Sequence, residues 1–135
     1  MTRAVALTAL ITILLAGCGG GDDGGASTDA AIDLKVTLWP NGEAGDSTTW
    51  TLQCEPAGGD HPDTEAACAA LTAIADPFGP VAPPPRCKEI PGGEEDVAVI
   101  DGDYRGRTVH SRFTRANACV SGRWDRIAPV FPTGS

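Results

Sequence analysis

From Ile32 to Leu38 apolar and polar residues alternate without a break, the two-residue period of a strand with one buried face. Pro40 to Asp46 contains Asn41-Gly42 and Gly45 and predicts a turn. Thr48 to Cys54 predicts the next strand, with Trp50, Leu52 and Cys54 on one face; Pro56, Gly58, Gly59 and Pro62 then break it. A helix is expected from Pro62, which suits a first helical turn, with Asp63 and Glu65 near the positive end of its dipole. Ala67, Cys68, Leu71 and Ile74 recur at helical spacing, and Asp76-Pro77 ends the run. Pro83-Pro84-Pro85 holds Val81 to Arg86 extended, and Cys87 to Glu94 reads as an exposed loop. Val97 to Tyr104 and Arg107 to Thr114 predict a hairpin closed by the two-residue turn Arg105-Gly106. Asn117 to Arg126 is irregular or a short helix, and Ile127 to Phe131 is expected as a final edge strand, since Pro129 does not suit a central one. The sum is a small α+β domain.

The first thirty residues have a different character. Arg3 supplies a basic start, Ala4 to Leu15 is apolar apart from Thr8 and Thr12, and Leu15-Ala16-Gly17-Cys18 follows. This is the build of a secretory signal peptide, and it is shorter than the roughly 20 apolar residues that span a bilayer. Leu-Ala-Gly-Cys also resembles the lipobox of bacterial lipoproteins. That resemblance implies that residues 1–17 are removed and that Cys18 becomes a lipidated amino terminus. Residues 18–30 are Gly-rich with Asp22, Asp23 and Asp29, and bury too little apolar surface to order themselves; they read as a tether. The globular domain is expected over 31–135, extracytoplasmic and anchored to the cell membrane through Cys18.

Composition narrows the function. The chain has 135 residues, room for one domain, and a formal net charge of −8. Loss of residues 1–17 removes Arg3 and no acid, which takes the mature chain one unit further negative. Such acidity excludes nucleic acid as a partner, because phosphate binding needs a basic excess. Charge is also segregated: Glu89 to Asp103 carries six acids and no base, and Arg105 to Arg126 carries six arginines and one acid. The two sets are expected to meet across the hairpin, at about 0–1 kcal/mol per exposed pair. His61 is expected to be structural or capping and His110 to face solvent. Neither has Cys or Glu partners at metal-ligand spacing, so no metal and no cofactor are expected. No Gly-x-Ser-x-Gly element points to an enzyme. Trp39, Trp50 and Trp124 are expected in the core or at a dimer contact.

Five cysteines are an odd count that an anchor resolves. With Cys18 lipidated, Cys54, Cys68, Cys87 and Cys119 remain, an even set that implies two disulfides in an exported domain. Three pairings exist. The sequential one is favoured: Cys54–Cys68 ties a strand to the following helix, and Cys87–Cys119 clamps the extended loop to the segment after the hairpin.

Residues 54–71 carry Cys54, Pro56, Gly59, His61, Pro62, Ala67, Cys68 and Leu71. This run resembles the signature of the Streptomyces subtilisin inhibitor family, with looser likeness at Cys87, Tyr104-Arg105-Gly106, Cys119 and Val130-Phe131. The resemblance implies a five-stranded antiparallel sheet with two helices, the sequential disulfides, and a homodimer that inhibits subtilisin-like serine proteases through a rigid, substrate-like loop. Carried over residue by residue, it places the reactive bond two residues past the third domain cysteine, at Glu89–Ile90. Lys88 precedes the bond, Arg86 and Cys87 lie on its approach, and Pro91 follows.

The loop departs from the family pattern. Glu89 stands where family members usually place Met, Lys or another long or apolar residue and is a poor fit for an apolar specificity pocket, which leaves a subtilisin-like or a glutamyl-specific serine protease as the expected partner. Pro91 has no N–H to donate to an enzyme backbone, and Gly92-Gly93 is expected to add flexibility. These features support an alternative: a non-inhibitory cell-surface lipoprotein that keeps the fold for binding or structure.

Overall fold

A computed structural model describes residues 31–80 and 87–132. The signal, lipobox and tether assignments at 1–30, including Cys18, and the extended segment 81–86, including Arg86, lie outside the described residues. Five strands form one antiparallel sheet: β1 (Ile32–Trp39), β2 (Thr48–Cys54), β3 (Gly58–Gly59), β4 (Val97–Tyr104) and β5 (Arg107–Thr114), in the order β3-β2-β1-β4-β5. Two helices, α1 (Thr64–Thr72) and α2 (Ala118–Arg126), and a 3₁₀ turn (Ala128–Val130) complete the fold. This is the α+β architecture that the resemblance implied. No helix among the described residues is long and apolar enough to cross a membrane.

β1 lies at the centre of the sheet, and its alternation puts one whole face in the core. Ile32, Leu34, Val36 and Leu38 are all buried, and the strand pairs with β2 on one side and β4 on the other. The inward positions of β1, β2, β4 and β5 meet Ala67 and Leu71 of α1, Trp124 of α2, and Ile127, Val130 and Phe131 beyond it. Buried Tyr104 donates its hydroxyl to the Leu71 carbonyl at 3.2 Å, which joins the end of β4 to α1. Burial pushes the Tyr104 phenol above its ordinary value near 10, against a smaller opposing effect of Arg105 and Arg107.

Four expectations need correction. Ile127–Phe131 is not an edge strand but a turn of 3₁₀ helix, since Pro129 has the φ that opens a tight helical turn and no N–H for a ladder. Val130 and Phe131 drop into the core from it. Gly58–Gly59 does not merely end β2; it folds back as β3, with Leu52 opposite Gly59. At Gly59 (φ +95°) a Cβ would collide with the Thr51 carbonyl, so only glycine permits this pairing. α1 begins later and ends earlier than the pattern suggested. Asp63 is its N-cap, accepting the Ala66 N–H at 3.1 Å, so Pro62 lies just outside, and the helix stops at Thr72. Finally, most of the arginines do not meet the acids across the hairpin. Among the described residues Asp101 pairs with His110 across the strands and Arg115 comes within 3.9 Å of Asp96 at the open end, whereas Arg107 reaches Asp76 at 2.9 Å and Arg112 reaches Glu43 at 2.8 Å.

The isolated histidine of the 54–71 run is structural. His61 is buried, with Nε2 at 3.2 Å from the Val130 carbonyl and Nδ1 accepting the Asp63 N–H at 3.1 Å. It thus ties the start of α1 to the last turn of the chain. His110 faces solvent, as its alternation on β5 indicated.

Candidate functional site

In the loop between α1 and β4, Cys87 is disulfide-bonded to Cys119 near the start of α2. The second bridge, Cys54–Cys68, joins the end of β2 to α1. Both pairs are sequential. From Cys87 the chain runs antiparallel to the segment leading into α2, and the disulfide sets the register. Two residues on along one segment and two back along the other, Glu89 stands opposite Asn117 in an isolated antiparallel bridge.

Two backbone hydrogen bonds flank that bridge. The Ala118 N–H donates to the Lys88 carbonyl at 2.8 Å, and the Ile90 N–H donates to the Ala116 carbonyl at 2.9 Å. In an antiparallel pair bonded this way, the central residue points its own N–H and C=O to the opposite side. The Glu89 backbone therefore offers both groups away from the protein, as the edge of a strand does. The Lys88, Glu89 and Pro91 side chains are exposed and Ile90 is half-buried. Glu89 makes no ion pair with any described residue.

The supporting side is rigid because α2 is fastened to the sheet. Asn117 caps the helix, its Oδ1 accepting the N–H groups of Cys119 at 3.0 Å and Val120 at 3.2 Å. Arg123 lies over the Phe113 ring at 4.2 Å and donates to Ser111 Oγ at 2.7 Å and to the Arg112 carbonyl at 3.3 Å. Its partial burial lowers the guanidinium from its ordinary value, with Arg126 adding to the effect. Trp124 packs on Phe131 with ring centroids 4.3 Å apart. A segment carried by this helix cannot swing without breaking core contacts.

After the bridge, the expected flexibility of Gly92-Gly93 is not what is found. Gly93 is buried, its N–H donates to the Ile90 carbonyl at 3.0 Å, and its carbonyl accepts the Arg115 N–H at 3.1 Å. Glycine is used here for close backbone approach rather than for looseness. No group of His, Cys, Asp and Glu among the described residues could hold a metal.

Sequence reasoning identified the loop residues but not their partners Ala116, Asn117 and Ala118. Backbone groups carry no sequence signature, yet a signal existed. Once Cys87 is paired with Cys119, antiparallel counting alone sets Glu89 against Asn117.

Fold and loop together define a small, disulfide-braced α+β domain that presents one exposed strand-like segment, held from behind. The chain belongs to the subtilisin inhibitor-like family, whose model matches residues 29–117. Members of that family are protease inhibitors and not enzymes. Subtilisin inhibitor-like protein 1 of Streptomyces cacaoi is 33% identical over 96 residues, covering 67% of this chain and 84% of that protein. The crystal structure of Streptomyces caespitosus sermetstatin in complex with Bacillus licheniformis subtilisin is 25% identical, with a TM-score of 0.46, covering 77% of this chain and 100% of that one.

Proposed function

We propose that this protein is an extracytoplasmic, membrane-tethered inhibitor of serine endopeptidases, and that Glu89–Ile90 is its reactive bond. The observation that carries the reading is the pair of bonds around Glu89: Lys88 and Ile90 are tied to Ala118 and Ala116, and the Glu89 N–H and C=O are left directed outward. A protease reads a substrate as an added strand, so a pre-ordered strand edge binds without a further ordering cost. The Cys87–Cys119 bridge sits two residues from the bond and braces its approach. Family membership supports protease inhibition as the activity.

An exposed carboxylate that makes no ion pair with a described residue suits a specificity pocket that supplies hydrogen-bond donors or positive charge. A glutamyl-specific serine protease fits Glu89 better than subtilisin, whose apolar pocket would strip the carboxylate of water without pairing it. The same reading makes residues 1–17 a signal peptide, Cys18 a lipid anchor and 18–30 a tether that holds the domain 31–135 on the cell surface, where the protein works as a homodimer. Titration against subtilisin, trypsin and a glutamyl-specific protease tests it: saturable inhibition of the last is expected. A folded, disulfide-intact domain that inhibits none of the three overturns it and leaves a binding or structural lipoprotein.

A further inference from the structure

Ile90 is held on both of its backbone polar groups. Its N–H goes to the Ala116 carbonyl, and its own carbonyl receives the Gly93 N–H. Pro91 between them needs no N–H partner. A second turn follows at once, with the Glu95 N–H on the Gly92 carbonyl at 3.1 Å, and the Glu95 carbonyl receives the Gly42 N–H at 2.7 Å. Residues 90–95 thus form a strut bonded to the 115–116 segment at one end and to the β1–β2 turn at the other. Gly93 is the point where the strut touches that segment. A Cβ there would collide with the Arg115 carbonyl oxygen and lie 2.6 Å from its carbon. At neighbouring Gly92, φ is +77° but nothing lies within 4 Å of an added Cβ.

We propose that Gly93 is a positioning residue that holds the Ile90 amine in place once the Glu89–Ile90 bond has been cut, so that the bond is remade instead of lost. The proposal rests on Glu89–Ile90 being the reactive bond. The protease serine Oγ adds to the Glu89 carbonyl carbon, and the C–N bond to Ile90 breaks. The serine proton passes through the protease's general base to the Ile90 nitrogen, which leaves as an amine. Two nucleophiles then compete for the acyl-enzyme. Water yields a free Glu89 carboxylate and restores the serine hydroxyl. The Ile90 amine returns its proton to the serine and restores the peptide bond. The amine wins only while it stays within reach of the acyl carbon. The Gly93–Ile90 and Arg115–Gly93 hydrogen bonds do not involve the cut bond, so they persist after it opens. A side chain at Gly93 must push residues 90–93 off the 115–116 segment and release the amine.

The test uses the disulfide-intact protein with a glutamyl-specific serine protease, following cleavage at Glu89–Ile90 by mass and residual inhibition over time. Wild type is expected to be cut slowly, and Gly93→Ala to be hydrolysed at least ~10-fold faster within the complex, since small displacements of a reacting group cost rate steeply. Gly92→Asn, which tolerates positive φ and meets no neighbour, is expected to behave as wild type. Protein nicked beforehand should re-form the bond on incubation with the protease, and the Gly93 and Arg115 amides of nicked wild type should keep their protection from hydrogen exchange. That measurement needs no variant and so survives a misfolded Gly93→Ala. Equal hydrolysis of wild type and folded Gly93→Ala, or loss of that protection on nicking, overturns the role of Gly93 while the reactive bond stands. Absence of both inhibition and cleavage at Glu89–Ile90 in wild type overturns the reactive bond and this proposal with it.

Discussion

Asn117 faces Glu89 across the isolated bridge while its side chain caps the helix that carries the bridge. One residue thus couples loop order to helix order. Replacing Asn117 with Ala should remove the acceptor for the Cys119 and Val120 N–H groups and cost about 1 kcal/mol of folding stability. Asn117→Asp, an equally good cap, should recover most of that loss. Urea denaturation of the three proteins checks the stability. Inhibition should weaken in Asn117→Ala more than in Asn117→Asp, because the 116–118 backbone supports Lys88 and Ile90. Equal weakening in both would show that the side-chain cap does not transmit to the loop.

The two disulfides should separate stability from function. Cys54–Cys68 closes a sequence separation of 14 and Cys87–Cys119 one of 32. Loop-closure entropy gives about 3 kcal/mol for the first and about 4 kcal/mol for the second. Removing either pair as Cys→Ala should lower the thermal midpoint. Only loss of Cys87–Cys119 should also free the approach to Glu89 and turn an inhibitor into a substrate at temperatures where both variants are folded. Cleavage rates of the two double variants, measured below their midpoints, decide the matter. Similar rates would mean that the bridge at 87–119 braces the fold and not the loop.

Asp60 gives the fold an acid-sensitive tie. Its carboxylate accepts the Thr51 N–H at 2.5 Å and the Thr51 hydroxyl at 2.9 Å, and these two bonds hold its pKa below the ordinary 3.8. A carboxyl lowered in the folded state stabilises fully above its unfolded value, and the contribution disappears as pH falls through the folded value. Wild type and Asp60→Ala should therefore differ most near neutral pH and converge below about pH 4. Urea midpoints from pH 2 to pH 7 report this, and parallel curves across that range would show that the carboxylate charge contributes nothing.

Much of the fold could be read from residue patterns because those patterns had one dominant cause. The alternation in 32–38 admits one register for a half-buried strand, and Arg105-Gly106 between two such runs admits a hairpin. The failures have equally specific causes. Gly58-Gly59 looks like a breaker, since a strand that pairs through backbone alone leaves no side-chain periodicity. α2 contains Gly122 and few apolar residues, and its helicity depends on the Asn117 cap and on Trp124 and Arg123 packing against the core, contacts made between distant parts of the chain. The loop shows the same division. Its position follows from Cys87, but the stiffness of Gly92-Gly93 depends on the Arg115 N–H that donates to the Gly93 carbonyl, 22 residues away in sequence and visible only in three dimensions.

Glu89 should set which protease is held. Its side chain is exposed and its backbone is fixed by its neighbours, so a substitution there changes the chemistry offered without disturbing Lys88 or Ile90. Glu89→Lys presents a cation at the same place. Inhibition of a glutamyl-specific protease should fall by roughly 100-fold or more, because like charge now meets the donors of its pocket, and inhibition of trypsin should appear. Glu89→Met removes the charge and should shift binding toward subtilisin, whose pocket accepts a long apolar side chain. Stability should stay within about 0.5 kcal/mol of wild type in both variants, as for surface changes generally. Inhibition constants against the three proteases give the answer. An unchanged order of preference in both variants would move the reactive bond away from Glu89–Ile90, whereas a reversal that follows the charge of the side chain would identify position 89 as the residue that enters the specificity pocket.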